Sequence, residues 1–125
     1  MYSTGIVTNT RDTGTAATNV VLNVHNTNEL SLTTIIRIVA SVDSDTFYVA
    51  YLNGFVTPSG GYEVMTFNIA GNVAYEVQLL FDLTTNDGTL PALVSVYGID
   101  EFGNPSVNQG FAPGDLYLST QDFSL

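Results

Sequence analysis

The stretch Val73-Ala-Tyr-Glu-Val-Gln-Leu-Leu-Phe-Asp-Leu83 decides the fold class, because apolar and polar residues alternate along it with a period of two. One face carries only apolar and aromatic residues, namely Val73, Tyr75, Val77, Leu79, Phe81 and Leu83. This alternation is typical of an antiparallel β-strand that turns one face to the core and the other largely to water. The sequence therefore predicts a strand over the whole stretch.

The same period continues along the chain, and no segment shows a convincing helical period of 3.6. Turn-forming residues separate the apolar segments, and Asn86-Asp-Gly88 is the strongest hairpin signal among them. Further strands are predicted at Asn19–His25, Thr33–Val42, Thr46–Val56, Gly61–Ile69, Ala92–Ile99 and Asp115–Gln121. About seven or eight short strands at this spacing predict an all-β, single-domain antiparallel sandwich, with a jelly roll as the favoured subtype.

Residues 1–18 differ from the rest, because Thr, Gly and Asn predominate there and, after Met1, the larger apolar side chains lie only at Tyr2, Ile6 and Val7. Such a segment cannot bury enough surface to order itself alone. We therefore predict an extended N-terminal arm over residues 1–18 and a sandwich domain over residues 19–125. Two arrangements of the arm remain open: it folds back on its own sheet, or it docks as a connector on a neighbouring subunit.

The charge balance narrows the class of function. Twelve Asp and Glu face only two cations, Arg11 and Arg37, which gives a net charge of -10 and a pI near 4.1. A phosphate backbone would find almost nothing to pair with, so the composition excludes DNA and RNA as partners. One His and no Cys leave little for nucleophilic or metal-dependent catalysis. The sequence predicts a protein that is not an enzyme.

Acidic turns supply the candidate metal ligands. Carboxylates of the kind that suit Ca²⁺ occur at Asp43, Asp45, Asp87 and Asp100. Their spacing does not match the twelve-residue EF-hand loop, and Asp is also common in turns for local hydrogen bonding. The prediction is that no cofactor binds, with calcium at these four residues as the alternative.

Three other features have both a structural and a functional interpretation. His25 ends an alternating stretch with no catalytic motif beside it, which favours a hydrogen-bonded residue at a strand end. Arg37 interrupts an apolar strand and must reach water or a carboxylate, at the surface or across a subunit contact. The aromatic residues between Phe47 and Tyr75 are typical of core and cross-strand pairs, with a carbohydrate-stacking cleft as the alternative.

No apolar run approaches the roughly 18 residues of a membrane span, so no membrane span is predicted. The first residues also lack the basic and apolar regions of a signal peptide. The chain is then used inside a cell, or it leaves by lysis or another route without a visible signal peptide.

Two sequence phrases, Phe67-Asn-Ile-Ala-Gly-Asn-Val-Ala-Tyr-Glu-Val-Gln78 and Leu93-Val-Ser-Val-Tyr-Gly-Ile-Asp-Glu-Phe-Gly-Asn104, resemble small Cys-poor β proteins of endospore-forming bacteria. More loosely, the pattern over residues 18–100 is similar to that of subunits of the pilus-like appendages on such spores. The resemblance implies jelly rolls that stack by strand addition, with residues 1–18 as a connector. Connector cysteines cross-link those subunits, and this chain has none, so covalent locking is removed.

These observations together predict a non-catalytic structural subunit that self-assembles by β-strand addition into an extracellular fibre or a layer on a spore or cell surface. Its partners are copies of itself. The alternatives are a carbohydrate- or calcium-binding sandwich module and a component of a phage or virus particle. The residues predicted to contact a neighbouring subunit are Tyr2, Ile6, Val7, Arg11 and Arg37.

Overall fold

The computed structural model describes residues 1–83 and 90–119, and this part of the chain is all-β, as predicted. Its strands pair only in the antiparallel sense. One short 3-10 helix, Pro113–Asp115, precedes the last strand. The strands are β1 (Tyr2–Ser3), β2 (Val7–Thr8), β3 (Asn19–His25), β4 (Leu32–Ser41), β5 (Tyr48–Thr57), β6 (Tyr62–Asn68), β7 (Ala74–Phe81), β8 (Leu93–Ile99), β9 (Pro105–Phe111) and β10 (Tyr117–Leu118).

Two sheets pack together as a sandwich, which confirms the predicted architecture. The first sheet has the order β10-β1-β7-β4-β5, and β2 also pairs with β7 beside β1. The second sheet has the order β6-β3-β8-β9. Neighbours in sequence form hairpins within one sheet at β4–β5 and again at β8–β9. The strand order does not confirm the jelly-roll subtype.

The core lies between the sheets and follows from the alternation in sequence. Tyr75, Val77 and Leu79 of β7 turn inward and are almost completely buried, as their period predicted. They meet the alternate residues of β3 and β4, so both sheets contribute one apolar face. Burying a side chain of this size contributes about 1.5–3 kcal/mol. The other central members of the core are Val20, Leu22, Val24, Ile36, Ile38, Val94 and Val96.

The N-terminal arm lies along β7 of its own chain. Tyr2 and Ser3 pair with Leu79 and Gln78, and the two residues of β2 pair further along the same strand. This is the fold-back arrangement of the two that the sequence left open. The segment 1–18 thus contributes two short strands to the first sheet, and its residues Val7, Asn9 and Ala17 are buried.

Two predicted features of the second half of the chain turn out differently. The strand predicted over Asp115–Gln121 begins as the 3-10 helix and is reduced to β10, and residues from 120 onward lie outside the described part. Sequence reasoning missed β9, which pairs irregularly with β8 and contains Asn108 at a φ of 61°. The hairpin predicted at Asn86-Asp-Gly88 lies outside the described residues.

Candidate functional site

The edge strand β5 has an unusual composition for an exposed edge. It is ten residues long, Tyr-Val-Ala-Tyr-Leu-Asn-Gly-Phe-Val-Thr, and none of them is charged. Within the described residues it pairs with β4 alone, so its other side presents backbone groups without a ladder partner. The register shifts once, between Ile38 and Val39 of β4, and the pairing from Tyr51 to Thr57 is continuous.

The two faces of β5 have different roles. On the inner face, the Tyr51 ring contacts the Phe67 ring at a centroid distance of 5.0 Å, and its hydroxyl donates to the Asn68 carbonyl at 2.8 Å. These contacts hold β5 against β6. On the outer face, Leu52 pairs with Arg37 and Val56 pairs with Thr33. Leu52 and Val56 remain 50% and 59% exposed, so the edge combines free backbone groups with apolar side chains.

One of the two edge strands of the second sheet, β6, lies on the same side of the sandwich as β5. A tight turn joins the two strands, closed by a hydrogen bond from the Gly61 N–H to the Pro58 carbonyl at 2.8 Å. Gly60 adopts a φ of 73° there, a conformation that glycine tolerates better than other residues. From residue 46 to residue 75 the sequence carries one charge, Glu63. The two edge strands and the turn between them therefore carry a single charge in a chain of net charge -10.

His25 stacks on the exposed ring of Tyr62, with a centroid distance of 4.0 Å and an angle of 8° between the rings. The prediction placed His25 at a strand end, and the structure places it at the last position of β3, opposite Tyr62 and Leu93. The ring pair borders a shallow groove of about 430 Å³ whose other lining includes Leu93 and Val64. This arrangement offers a flat apolar surface.

A buried polar network fixes the N-terminal arm. The Asn9 side chain accepts hydrogen bonds from the Ala17 N–H at 2.7 Å and from Gln109 Nε2 at 2.8 Å. It donates to the carbonyls of Ala17 at 3.1 Å and Asn72 at 2.9 Å. The Tyr75 hydroxyl donates to Gln109 Oε1 at 2.7 Å, and burial raises the pKa of Tyr75. One network thus joins the arm to β7 and β9.

Sequence reasoning missed Asn9 and Gln109 as determinants of the arm. Both are almost fully buried in the structure. Each stands among Thr, Asn, Gly and Ser residues that look alike in sequence, and their partners lie far along the chain. No local pattern distinguishes them from exposed polar residues.

The residues predicted as subunit contacts lie in two places. Four of them belong to the arm and Arg37 lies on β4, where its Nε donates to Gln78 Oε1 at 2.6 Å. Tyr2 meets Phe81 edge to face at 5.8 Å, and Val7 is buried. Ile6 is 65% exposed, and Arg11 faces Glu101 at 3.9 Å on the surface. The strands of the arm lie on the side of the first sheet opposite β5, where β10 pairs with the outer side of β1.

The described acidic candidates lie in turns, and the carboxylates of Asp43 and Asp100 accept hydrogen bonds within them. Asp43 Oδ1 accepts the N–H groups of Asp45 and Thr46, each at 2.9 Å, and these bonds lower the pKa of Asp43. Asp100 Oδ1 accepts the N–H groups of Phe102 and Asn104, also at 2.9 Å. Asp87 lies outside the described residues. Residues 1–83 and 90–119 contain no group of three or more His, Asp or Glu placed to hold a metal ion.

Comparison with protein-family models, with curated proteins and with solved structures gives no match for this chain. Within the two described ranges, no helix reaches the length and apolarity needed to cross a membrane.

Proposed function

We propose that the protein is a non-catalytic structural subunit that self-assembles by β-strand addition into a fibre or a surface layer. The observation that carries this proposal is the β5 edge, ten residues without a charge and with its outer backbone groups unpaired in the described part of the chain. Copies of the same chain are the proposed partners. The proposed place, outside the cell or on a spore or cell surface, rests on the sequence resemblance.

Natural β proteins usually protect an exposed edge with lysine, proline, inward-pointing charges or a bulge. This chain contains no lysine, and β5 contains neither proline nor charge. Its one protective device is the register shift beside Val39. Within the described residues, the continuous segment from Tyr51 to Thr57 thus keeps an unpaired row of backbone N–H and C=O groups, to which an added strand can bond.

The energetics favour a strand-to-strand contact over a side-chain contact alone. Each new backbone hydrogen bond contributes about 0.5–1.5 kcal/mol net. Full burial of a side chain such as Leu52 or Val56 contributes about 1.5–3 kcal/mol. The gain on association is smaller than this, because each side chain is already about half-buried in the monomer. A contact along seven residues can therefore offset the ordering cost of association, which is at least about 4 kcal/mol.

A charged residue on β5 tests the proposal. Leu52→Glu places a carboxylate beside Arg37, its cross-strand partner, so the monomer should keep its fold while the edge becomes unsuitable for pairing. Val107→Glu is the matched control, because Val107 is 84% exposed on β9 and the charge change is the same. Analytical ultracentrifugation and negative-stain electron microscopy measure the assemblies.

We expect wild type and Val107→Glu to form the same large assemblies and Leu52→Glu to remain small. Circular dichroism checks that all three proteins are folded. If wild type stays monomeric at high concentration, or if Leu52→Glu assembles like the control, β5 does not drive assembly and the proposal is wrong.

The Tyr62–His25 ring pair favours a second candidate function, binding of a neutral carbohydrate by stacking. The Tyr62 ring is 72% exposed and is held flat by the His25 ring beneath it. Titration of a panel of neutral oligosaccharides, followed by tyrosine fluorescence, tests it with Tyr62→Ala as the control. Saturable binding that the Tyr62→Ala variant loses would support this function, and no binding at millimolar sugar would exclude it for that panel.

A further inference from the structure

We infer that β5 pairs first with β5 of a second copy, antiparallel about a two-fold axis that passes near Gly54. The inference rests on the proposed function and names the partner surface of the same edge. Antiparallel pairing is compatible with two-fold symmetry, because each strand then presents the same residues to the other. A single self-complementary edge is sufficient for this contact.

The distribution of charge favours a second copy as the partner and favours contact on the side that carries β5. Two copies of net charge -10 repel each other, and the repulsion is weakest where the carboxylates are farthest from the contact. The side formed by β5, its turn and β6 carries only Glu63 between residues 46 and 75. A basic partner would find no carboxylate on β5 to recognise, whereas an identical uncharged edge meets no like charge there.

An axis at the middle of the uninterrupted part of β5 lets the largest number of its residues pair with the second copy. Pairing of β5 with β4 is uninterrupted from Tyr51 to Thr57, and Gly54 is the midpoint of that segment. An axis at Gly54 places Leu52 opposite Val56 of the partner subunit, so that outer-face apolar side chains meet across the new strand pair. Side chains on one face stay on that face, because antiparallel partners directly opposite each other share a face.

The same axis also brings the two β6 edges toward each other. β5 and β6 are joined by a turn and by the contacts of Tyr51 with Phe67 and Asn68, so the position of β5 also fixes the position of β6. A two-fold axis perpendicular to the first sheet keeps both second sheets in one layer. The contact is thus a pairing of two sandwich sides, with β5 at its centre.

Single cysteines report the geometry directly, because the chain contains no native cysteine. Gly54→Cys is tolerable at this position, since a Cβ atom there meets its nearest neighbours only at 3.9 and 4.0 Å. A disulfide requires Cα atoms about 4.4–6.8 Å apart. At the axis two copies of one residue meet this condition, whereas residues six positions away stand ~40 Å from their own copies.

We expect Gly54→Cys to give disulfide-linked dimers under mild oxidation on non-reducing gels. Tyr48→Cys, on the same strand but far from the axis, and Val107→Cys, on β9, should give none above background. Equal dimer yields at Gly54→Cys and Tyr48→Cys would indicate parallel in-register pairing and overturn the inference, as would the absence of dimers at Gly54→Cys in a folded protein.

A second pair of variants covers the case in which Gly54→Cys does not fold. Leu52→Cys and Val56→Cys should cross-link to each other in a mixture far more than either does alone, because the proposed register sets them opposite. No preference for the mixed dimer overturns the inference.

The two proposals fail in distinguishable ways. If Leu52→Glu suppresses assembly but no cysteine on β5 links to its copy, β5 adds to a different edge, and only the two-fold contact is wrong. If Gly54→Cys cross-links but no species larger than a dimer forms, the two-fold contact stands and the proposed fibre or layer is wrong.

Discussion

At the scale of single residues, Asn9 ties the N-terminal arm to the rest of the sandwich. Its side chain bonds to the backbone of Ala17 and Asn72 and to the side chain of Gln109, all inside the molecule. A buried amide with its hydrogen bonds made stabilises a unique arrangement, and the same groups become costly when a partner is removed. Asn9 therefore anchors the arm together with the buried Val7 and the Tyr2 ring that packs on Phe81.

We predict that Asn9→Ala lowers the free energy of unfolding by about 2–4 kcal/mol, because several buried groups lose their partner at once. Urea unfolding followed by circular dichroism measures the change. Thr8→Ala is the matched control, since Thr8 is exposed on the same arm and should change stability by about 0.5 kcal/mol or less. Equal midpoints for the two variants would show that the network does not hold the arm.

The hydroxyls of Thr34 and Thr57 differ from the Asn9 amide, because they are buried without hydrogen-bond partners among the described residues. Both residues are fully buried. A buried polar group without a partner destabilises the fold. Valine has nearly the same shape and no hydroxyl, so we predict that Thr34→Val raises the free energy of unfolding by about 1 kcal/mol.

Thermal unfolding of Thr34→Val measures this gain. Thr33→Val serves as the control on the same strand, because Thr33 faces outward and is only half-buried. A fall in the melting temperature of Thr34→Val, relative to the control, would contradict the prediction and would mean that the hydroxyl has a partner in solution.

At the scale of elements, alternation was a sufficient guide wherever a strand is long and central. The strand predicted over Val73–Leu83 is β7, Ala74–Phe81, and the prediction at Asn19–His25 matches β3. β9 was missed because its residues include Pro105, Asn108 and Gly110, which normally indicate turns. The pattern of residue types along the sequence does not indicate such irregular strand pairing.

The candidate site was only partly predictable for a different reason. The sequence predicts that the segment around Leu52 is a strand, and the structure shows that this strand lies at an edge. Edge or centre is decided by which strands pair over long distances in the chain, and composition alone does not specify it. The same holds for the two-residue strands of the arm, whose partner β7 is about 70 residues away.

The arm itself can be tested as an exchangeable element. We predict that deletion of residues 1–15 lowers the melting temperature, because β7 loses the strands on one of its two sides and the Asn9 network disappears. A synthetic peptide of residues 1–15 should restore the melting temperature when added to the truncated protein, since strand addition can supply the same contacts from another chain.

The same peptide with Asn9→Ala is the control and should restore little. If the intact peptide has no effect at a large molar excess, an arm from outside does not occupy the place beside β7. The arm would then serve only its own subunit.

At the scale of the whole molecule, the net charge of -10 opposes any contact between copies. Exposed charges are screened over about 8 Å at physiological ionic strength. Lowering the pH toward the pI also protonates carboxylates and so reduces the net negative charge of each copy. We predict that assembly increases with added salt and as the pH falls toward the pI near 4.1.

Light scattering at pH 7 in low and high NaCl measures this effect. Equal assembly at very low salt and at high pH would contradict it. CaCl₂ at matched ionic strength separates two causes: an equal response indicates general screening, and a clearly larger response to Ca²⁺ indicates binding at the acidic turns around Asp43 or Asp100.

The contact between the first residue and Ser119 has a practical consequence. The Met1 ammonium donates to the Ser119 carbonyl at 3.2 Å, and the Ser119 N–H donates to the Met1 carbonyl at 2.8 Å, at the edge of the first sheet opposite β5. In a chain shortened to end at Ser119, a short linker can therefore join Ser119 to Met1, with new termini opened in the exposed Glu101–Gly103 turn to give a circular permutant. Such a permutant leaves the β5 edge exposed while both ends of the arm are covalently anchored. Assembly of the permutant would therefore indicate contact through β5, and loss of assembly would indicate exchange of the arm between copies.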